Sequence, residues 1–146
     1  VPLARTADTE TVFAAPYYLQ TMGIPEKPED FARHKFIFYK HVPDFTLRLE
    51  RGEARAAVTV TSRVTVNSMS AIRKLLFSGH GMSLLPLWAC EEAVAKGQVV
   101  KVLDDWTTAA FPLQGVFLPS PYRTAKLRVF LDAMSEQVRR EPSLMA

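Results

Sequence analysis

The residues that could ligate a metal or act as nucleophiles are few and scattered. The single cysteine, Cys90, and the three histidines, His34, His41 and His80, form neither a C-x-x-C nor an H-x-x-x-H pair. A zinc site needs clustered ligands, so no metal site is predicted. Cys90 falls inside a predicted helix, where a packed thiol is far commoner than a reactive one. His34 and His41 flank a predicted strand, and we expect both on the surface.

Three further motifs depart from the pattern that their chemistry requires. The G-H-G sequence at 79–81 lacks the third glycine of a dinucleotide fingerprint, and it follows a helix instead of a strand. Ser83 lies in GMSLL and not in G-x-S-x-G. Asp104 and Asp105 are adjacent acids, which are commoner in a solvated turn than in a catalytic pair. The sequence therefore indicates a protein that is not an enzyme.

The start of one predicted helix has the features of an anion-binding site. Asn67, Ser68, Met69 and Ser70 form its first turn, which contains no acidic residue. No nearby carboxylate pairs with the free N–H groups or with the positive end of the helix dipole. Three of these four side chains can form hydrogen bonds. The alternative explanation is a plain N-cap that faces water.

The elements that must position this turn alternate between strands and helices. Runs of β-branched and aromatic residues predict strands, and a spacing of three or four between apolar residues predicts helices. Strands are predicted at 11–15, 35–39, 45–49, 55–60, 63–66, 82–85, 99–103 and 111–118, and helices at 16–22, 28–32, 67–78, 86–95 and 123–140. The segment 1–10 is expected to be irregular, and a turn at 51–53 predicts a hairpin. This alternation predicts an α/β fold.

Composition limits the class of protein. The chain has 146 residues, 48% of them apolar and 23% charged, which suits one globular core. No apolar run approaches the roughly 20 residues of a membrane helix, and no signal peptide is evident. One cysteine cannot form an internal disulfide, which favours an intracellular setting. The net charge of +3 does not indicate nucleic-acid binding. Because the chain begins with Val1, we expect a fragment of a longer protein.

Four stretches, in this order, are similar to the effector-binding domain of LysR-type transcriptional regulators. They are VFAAPYYL at 12–19 with GIP at 23–25 and PEDFARH at 28–34; VNS at 66–68 with AI at 71–72; SGHGMSLLP at 78–86; and GQVVKVL at 97–103 with Trp106, PL at 112–113, VF at 116–117 and the closing helix. Each motif alone is weak. Their common order over nearly the whole chain makes the resemblance specific.

The resemblance implies an α/β fold of two lobes like that of the type II periplasmic binding proteins, with a small effector bound between the lobes. Lobe II would span 12–112, and 1–11 with 113–146 would supply the hinge and the remnant of lobe I. The family's winged helix-turn-helix and the first part of lobe I would lie upstream, outside this chain. A solute-binding protein of a transport system, which has the same fold, is the alternative.

The resemblance also assigns site residues. The family's effector-contacting position matches Asn67, Ser68 and Met69, and we expect Ser70 beside them to contribute. Ser68 replaces an acid that the family commonly carries there, which favours a carboxylate or another anion as effector. The hinge strands match Ala14, Ala15, Pro16, Gln114, Gly115 and Val116. His80 stands where the family usually has an uncharged residue, so it is either a surface variation or a pH-sensitive group at the rim.

The expected protein is a cytoplasmic sensor without a cofactor or a membrane partner. Its effector would change DNA binding by the attached domain, whereas this chain alone lacks a recognition helix and should have no useful affinity for DNA. The helix at 123–140 carries an apolar stripe that would pack on strands missing from this chain: Leu127, Phe130, Leu131, Met134 and Val138. Exposing such a stripe is unfavourable, so we expect a homodimer or higher oligomer, with folding back onto lobe II as the alternative.

Overall fold

A computed structural model of the chain describes residues 2–40, 44–114, 116–117 and 125–140, with the backbone alone at 2–8 and 111–113. By their contacts these residues form two compact units. One unit is Glu10–Ala109, and the other comprises the described residues on either side of it. Among the described residues, no helix has the length and apolar character needed to cross a membrane.

Strands and helices alternate along the described chain. The strands are β1 (Pro2–Asp8), β2 (Glu10–Ala14), β3 (Lys35–Tyr39), β4 (Thr46–Arg51), β5 (Ala54–Thr59), β6 (Thr61–Val66), β7 (Ser83–Pro86), β8 (Val100–Val102) and β9 (Phe111–Gln114). The α-helices are α1 (Pro16–Met22), α2 (Met69–Phe77), α3 (Glu91–Ala95) and α4 (Ala125–Arg140), and short 3₁₀ helices lie at Pro28–Arg33 and Leu87–Ala89. This arrangement confirms the α/β class.

The centre of the Glu10–Ala109 unit contains two ladders, β6-β3 and β7-β2-β8, which one parallel bridge between Phe36 and Met82 connects into a mixed layer, called the sheet below. β3 runs parallel to β6, and β2 runs antiparallel to β7 and β8. Two backbone hydrogen bonds join β3 to Met82, the residue before β7: Ile37 N–H donates to Met82 O at 2.8 Å, and Met82 N–H donates to Lys35 O at 2.9 Å. The carboxyl ends of β3, β6, β7 and β8 therefore lie at one edge of the sheet, where β2 begins.

Alternate side chains of this sheet enter two separate cores, because successive side chains of a strand point to opposite faces. On one face, Phe13 and Ile37 pack with residues of α2 and α3. On the other face, Phe36 and Phe38 pack with α1 and with the antiparallel hairpin of β4 and β5. The central strands are thus covered on both sides, which fixes where their ends lie.

A close backbone approach explains the glycine that precedes β7. A Cβ atom on Gly81 would lie 2.7 Å from the carbonyl oxygen of Lys35. That oxygen is the acceptor for Met82 N–H in the contact between β3 and β7. Any larger residue at position 81 would therefore push these two strands apart.

Most of the predicted elements are confirmed, since their signals are local. Pro16 is the first residue of α1, and Gly23 ends that helix with φ at 89° and its N–H bonded to Leu19 O at 2.8 Å. The hairpin around Gly52 and the helix that starts after Asn67 also form as expected. These turns and caps use glycine and proline in their usual roles.

Three predictions about secondary structure are wrong. The segment 1–10 is not irregular, because β1 pairs antiparallel with β9, a partner about a hundred residues away that local patterns cannot show. The predicted helix at 86–95 is interrupted at Cys90, whose φ of −125° and ψ of 0° lie outside the helical range. β9 ends at Gln114, and residues 116–117 are not part of a strand.

In the smaller unit, α4 packs against β1, and its apolar stripe is only partly covered. Val138 is buried and Leu127 and Leu131 are half-buried, whereas Phe130 is 60% and Met134 37% exposed. Within this chain the stripe is therefore only partly covered, and the expected homodimer or higher oligomer stays a prediction. The described sheet of this unit has two strands, β1 and β9, which is too narrow to cover the whole stripe.

His34 is buried, with 5% of its surface exposed, so its predicted surface position is wrong. Its Nδ1 lies 3.3 Å from Tyr18 Oη, and the same oxygen accepts the Lys35 N–H at 2.9 Å. Because Tyr18 Oη already accepts one hydrogen bond, its own hydrogen is available for the neutral imidazole. The other flanking histidine, His41, lies outside the described residues.

We predict that His34 makes the fold sensitive to acid. Burial lowers the pKa of His34 below 6.5, with Arg33 adding to the effect and Asp30 opposing it. As the pH falls below 6.5, the unfolded chain binds this proton first, so the free energy of unfolding should decrease. Urea denaturation should show that the free energy of unfolding decreases less between pH 7 and about pH 5 for His34→Gln than for the wild type. An equal dependence on pH in the wild type and His34→Gln would contradict the prediction.

Candidate functional site

A pocket of about 400 Å³ lies at the edge of the sheet where the parallel strands end. Its walls come from the ends of β3 and β7, the start of β2 and the first turns of α2. The lining residues are Glu10, Ile37, Phe38, Tyr39, Met69, Ile72, Leu84 and Leu85. Ligands of α/β proteins commonly bind beyond the carboxyl ends of the strands, so this pocket is the candidate binding site.

The first turn of α2 stands at this edge because α2 follows β6. Ser68 is the N-cap, its side chain makes no capping hydrogen bond, and the first turn contains no acid. Asn67, Ser68 and Ser70 are exposed, whereas Met69 is half-buried and lines the pocket. The first N–H groups of a helix have no partner within the helix. This turn can therefore donate hydrogen bonds to a negatively charged group beside the pocket.

The predicted site residues do not all come together. Ala14 and Ala15 are buried where β2 ends, which is the opposite edge of the sheet from Asn67. Gln114 and Val116 are exposed and belong to the smaller unit. Pro16 begins α1, and Gly115 lies outside the described residues.

The chain passes between the two units at residues 9–10 and 109–110. These two segments are hydrogen-bonded to each other inside the larger unit: Glu10 N–H donates to Thr108 Oγ1, and Thr108 N–H donates to Glu10 O, both at 2.9 Å. A hinge role for Ala14–Pro16 and for 114–116 stays a prediction.

The strand residues that form most of the pocket were not predicted from the sequence. Phe38 and Tyr39 close β3, and Leu84 and Leu85 belong to β7. The signal that could have found them is their position at the carboxyl ends of strands predicted for an α/β fold, where ligands commonly bind. Glu10 could not be found in this way, because it was assigned to an irregular segment.

One wall of the pocket has a neighbouring hydroxyl group that lacks a hydrogen bond. Thr11 is 7% exposed, and its Oγ1 has no partner among the described atoms. Its cross-strand partner is Leu85, which lines the pocket. Opposed residues on paired strands share a face of the sheet, so this hydroxyl lies on the face that carries the Leu85 side chain.

The other candidate groups are engaged or buried. Ser83 Oγ donates to Ile37 O at 2.9 Å, and Asp105 pairs with Arg51 at 2.7 Å. Cys90 is 1% exposed, and burial raises the pKa of its thiol to about 11, so the reactive thiolate is not populated at neutral pH. In the described part of the chain, no three His, Cys, Asp or Glu residues are grouped to hold a metal ion.

Comparison with known proteins gives one family. The family model for the LysR substrate binding domain matches residues 6–139. The HTH-type transcriptional regulator PtxR of Pseudomonas aeruginosa is 27% identical over 138 residues, which cover 94% of this chain and 44% of PtxR. The HTH-type transcriptional activator TtdR of Escherichia coli is 28% identical over 138 residues, covering 90% of this chain and 44% of TtdR. The chain thus spans less than half the length of these relatives.

Solved structures show the same fold. The regulatory domain of CrgA, a LysR-type transcriptional regulator from Neisseria meningitidis, has a TM-score of 0.71 and 24% identity, with 91% of this chain and 67% of that chain covered. The regulatory domain of AphB in Vibrio vulnificus has a TM-score of 0.69 and 20% identity, covering 91% of this chain and 67% of that one. At these identities the likeness concerns the fold alone.

We predict opposite effects on stability for one substitution made at the two ends of α2. Ser68→Asp places a carboxylate at the positive end of the helix dipole and should raise the free energy of unfolding by about 0.5 kcal/mol. Ser78→Asp places the same charge at the exposed C-terminal end and should lower it by a similar amount. Urea denaturation at low ionic strength measures both changes. A shift of the same sign in the two variants would contradict a free, positive N-terminus at Ser68.

Proposed function

The chain belongs to the LysR substrate-binding domain family, and from this premise we propose that its pocket at the sheet edge binds the small-molecule effector of a bacterial transcriptional regulator. The observation that carries the proposal is the position of Met69. This residue belongs to the effector position expected from the resemblance, and it lines the pocket at the carboxyl ends of the strands. The larger unit, Glu10–Ala109, then corresponds to the lobe II expected at 12–112, and its flanking residues to part of lobe I.

The relatives argue against the alternative of a transport protein. PtxR and TtdR are transcriptional regulators and not solute-binding proteins of transport systems. Neither is an enzyme, and we propose that this chain is likewise a sensor without catalytic activity. In the longer protein, a separate domain would contact DNA, and the effector would act by changing that contact.

We propose that the effector is an anion whose charged group lies at the first turn of α2. Support comes from the absence of an acid in that turn and from the unbonded side chain of Ser68. The anionic group is therefore assigned to the Ser68 side of the pocket.

Binding of small anions to the 146-residue chain tests this assignment. Acetate, benzoate and succinate can be titrated while amide chemical shifts of Asn67–Ser70 are followed by NMR. At least one anion should bind saturably. Ser68→Asp should lower the affinity for that anion by about fivefold or more, because the added carboxylate repels it. Ser78→Asp, at the other end of the helix, should leave the affinity unchanged. Absence of saturable binding, or equal weakening in both variants, would overturn the proposed site.

We also propose that the chain forms a homodimer or higher oligomer through α4. Three apolar side chains on this helix are exposed: Val129 at 67%, Phe130 at 60% and Met134 at 37%. Burying such side chains is worth about 1.5–3 kcal/mol each, which favours association.

Light scattering should give at least twice the chain's 16.4 kDa. The double variant Phe130→Glu with Met134→Glu should be monomeric, because charges would be buried without partners in the contact. Tyr17→Glu, which changes an aromatic residue that is 70% exposed in α1, is the control and should keep the wild-type mass. A monomeric wild type at high micromolar concentration would exclude this association.

A further inference from the structure

We infer that the part of the effector held in this pocket is an apolar body, aromatic or branched aliphatic, with a place for no more than one negative charge, at the first turn of α2. This inference rests on the proposed function of the pocket and adds the chemical class of its ligand. It depends on which side chains line the pocket and on which types are missing from that lining.

Six of the lining side chains offer a ligand only hydrocarbon or thioether surface. They are Ile37, Phe38, Met69, Ile72, Leu84 and Leu85. Ile37, Ile72 and Leu85 are at most 2% exposed, so core packing holds this part of the lining in place. A preformed apolar wall favours a ligand with apolar surface of its own, since binding removes that surface from water.

The lining also lacks the counter-charge that a multiply charged ligand would need. None of the described lining residues is Lys, Arg or His. One anionic group can be placed at the first turn of α2, beside Met69. A second carboxylate held in this pocket would lie among apolar side chains, and burying an unpaired charge is costly. Small dicarboxylates are therefore disfavoured.

The size of the pocket agrees with a ring-sized body. A cavity of about 150 Å³ is enough to hold benzene, and this pocket has about 400 Å³. A six-membered ring with a short acidic side chain therefore fits.

Phenylacetate and succinate are suitable probes. Both carry a carboxylate, but phenylacetate has an aromatic ring and one negative charge, whereas succinate is a small dicarboxylate. Calorimetric titration of the 146-residue chain should show phenylacetate binding about tenfold or more tighter than succinate. Met69→Gln keeps the length of the side chain but adds a polar amide to the lining. This substitution should lower the affinity for phenylacetate about fivefold or more, since the amide loses water on binding. Met22→Gln, the same change at a methionine that is 46% exposed in α1, should have no effect.

The outcomes separate this inference from the function on which it rests. If succinate binds as tightly as phenylacetate, and Ser68→Asp weakens it, the pocket binds an anion but the inferred ligand class is wrong. If phenylacetate binds but Met69→Gln and Met22→Gln affect it equally, the apolar lining is not the contact surface and the inference is again wrong. If neither probe binds saturably, the proposed function itself is overturned. Unfolding midpoints of each variant show that lost binding does not reflect lost folding.

Discussion

Two backbone hydrogen bonds join the central sheet, and they form because Gly81 has no side chain. Met82 N–H donates to the carbonyl of Lys35, which a Cβ on Gly81 would approach to 2.7 Å. This contact connects the ladder of β3 and β6 to the ladder of β7, β2 and β8. The pocket takes Phe38 from the first ladder and Leu84 from the second. Its walls therefore meet only because the two ladders are held together.

The elements that sequence patterns predicted are those whose stability is decided locally. In β3, three buried residues between two exposed ones reflect a short strand covered on both faces. β1 was missed because its polar sequence gives no strand signal, and it becomes a strand by pairing with β9 far along the chain. The break at Cys90 was missed because apolar spacing cannot distinguish one continuous helix from a 3₁₀ turn followed by α3.

For the same reason, only part of the candidate site could be predicted from the sequence. The first turn of α2 was found because missing acids and hydrogen-bonding side chains are visible in a short stretch of sequence. The apolar lining was not found, because Phe38 and Leu84 are brought together by the sheet and not by their spacing. The buried His34 is a further example, since its partner Tyr18 is in α1. Residue type alone cannot distinguish a histidine that packs in this way from one on the surface.

The pairing of Glu10 with Thr108 has a consequence for how the larger unit can be handled. The unit begins and ends at the same place, with its two end segments bonded to each other. Joining these ends by a short linker would cost little loop-closure entropy. New termini could then be opened at the exposed turn around Gly52, which lies between the strands of the hairpin. The unit thus has the geometry of a module suited to circular permutation and to insertion into a loop of another protein.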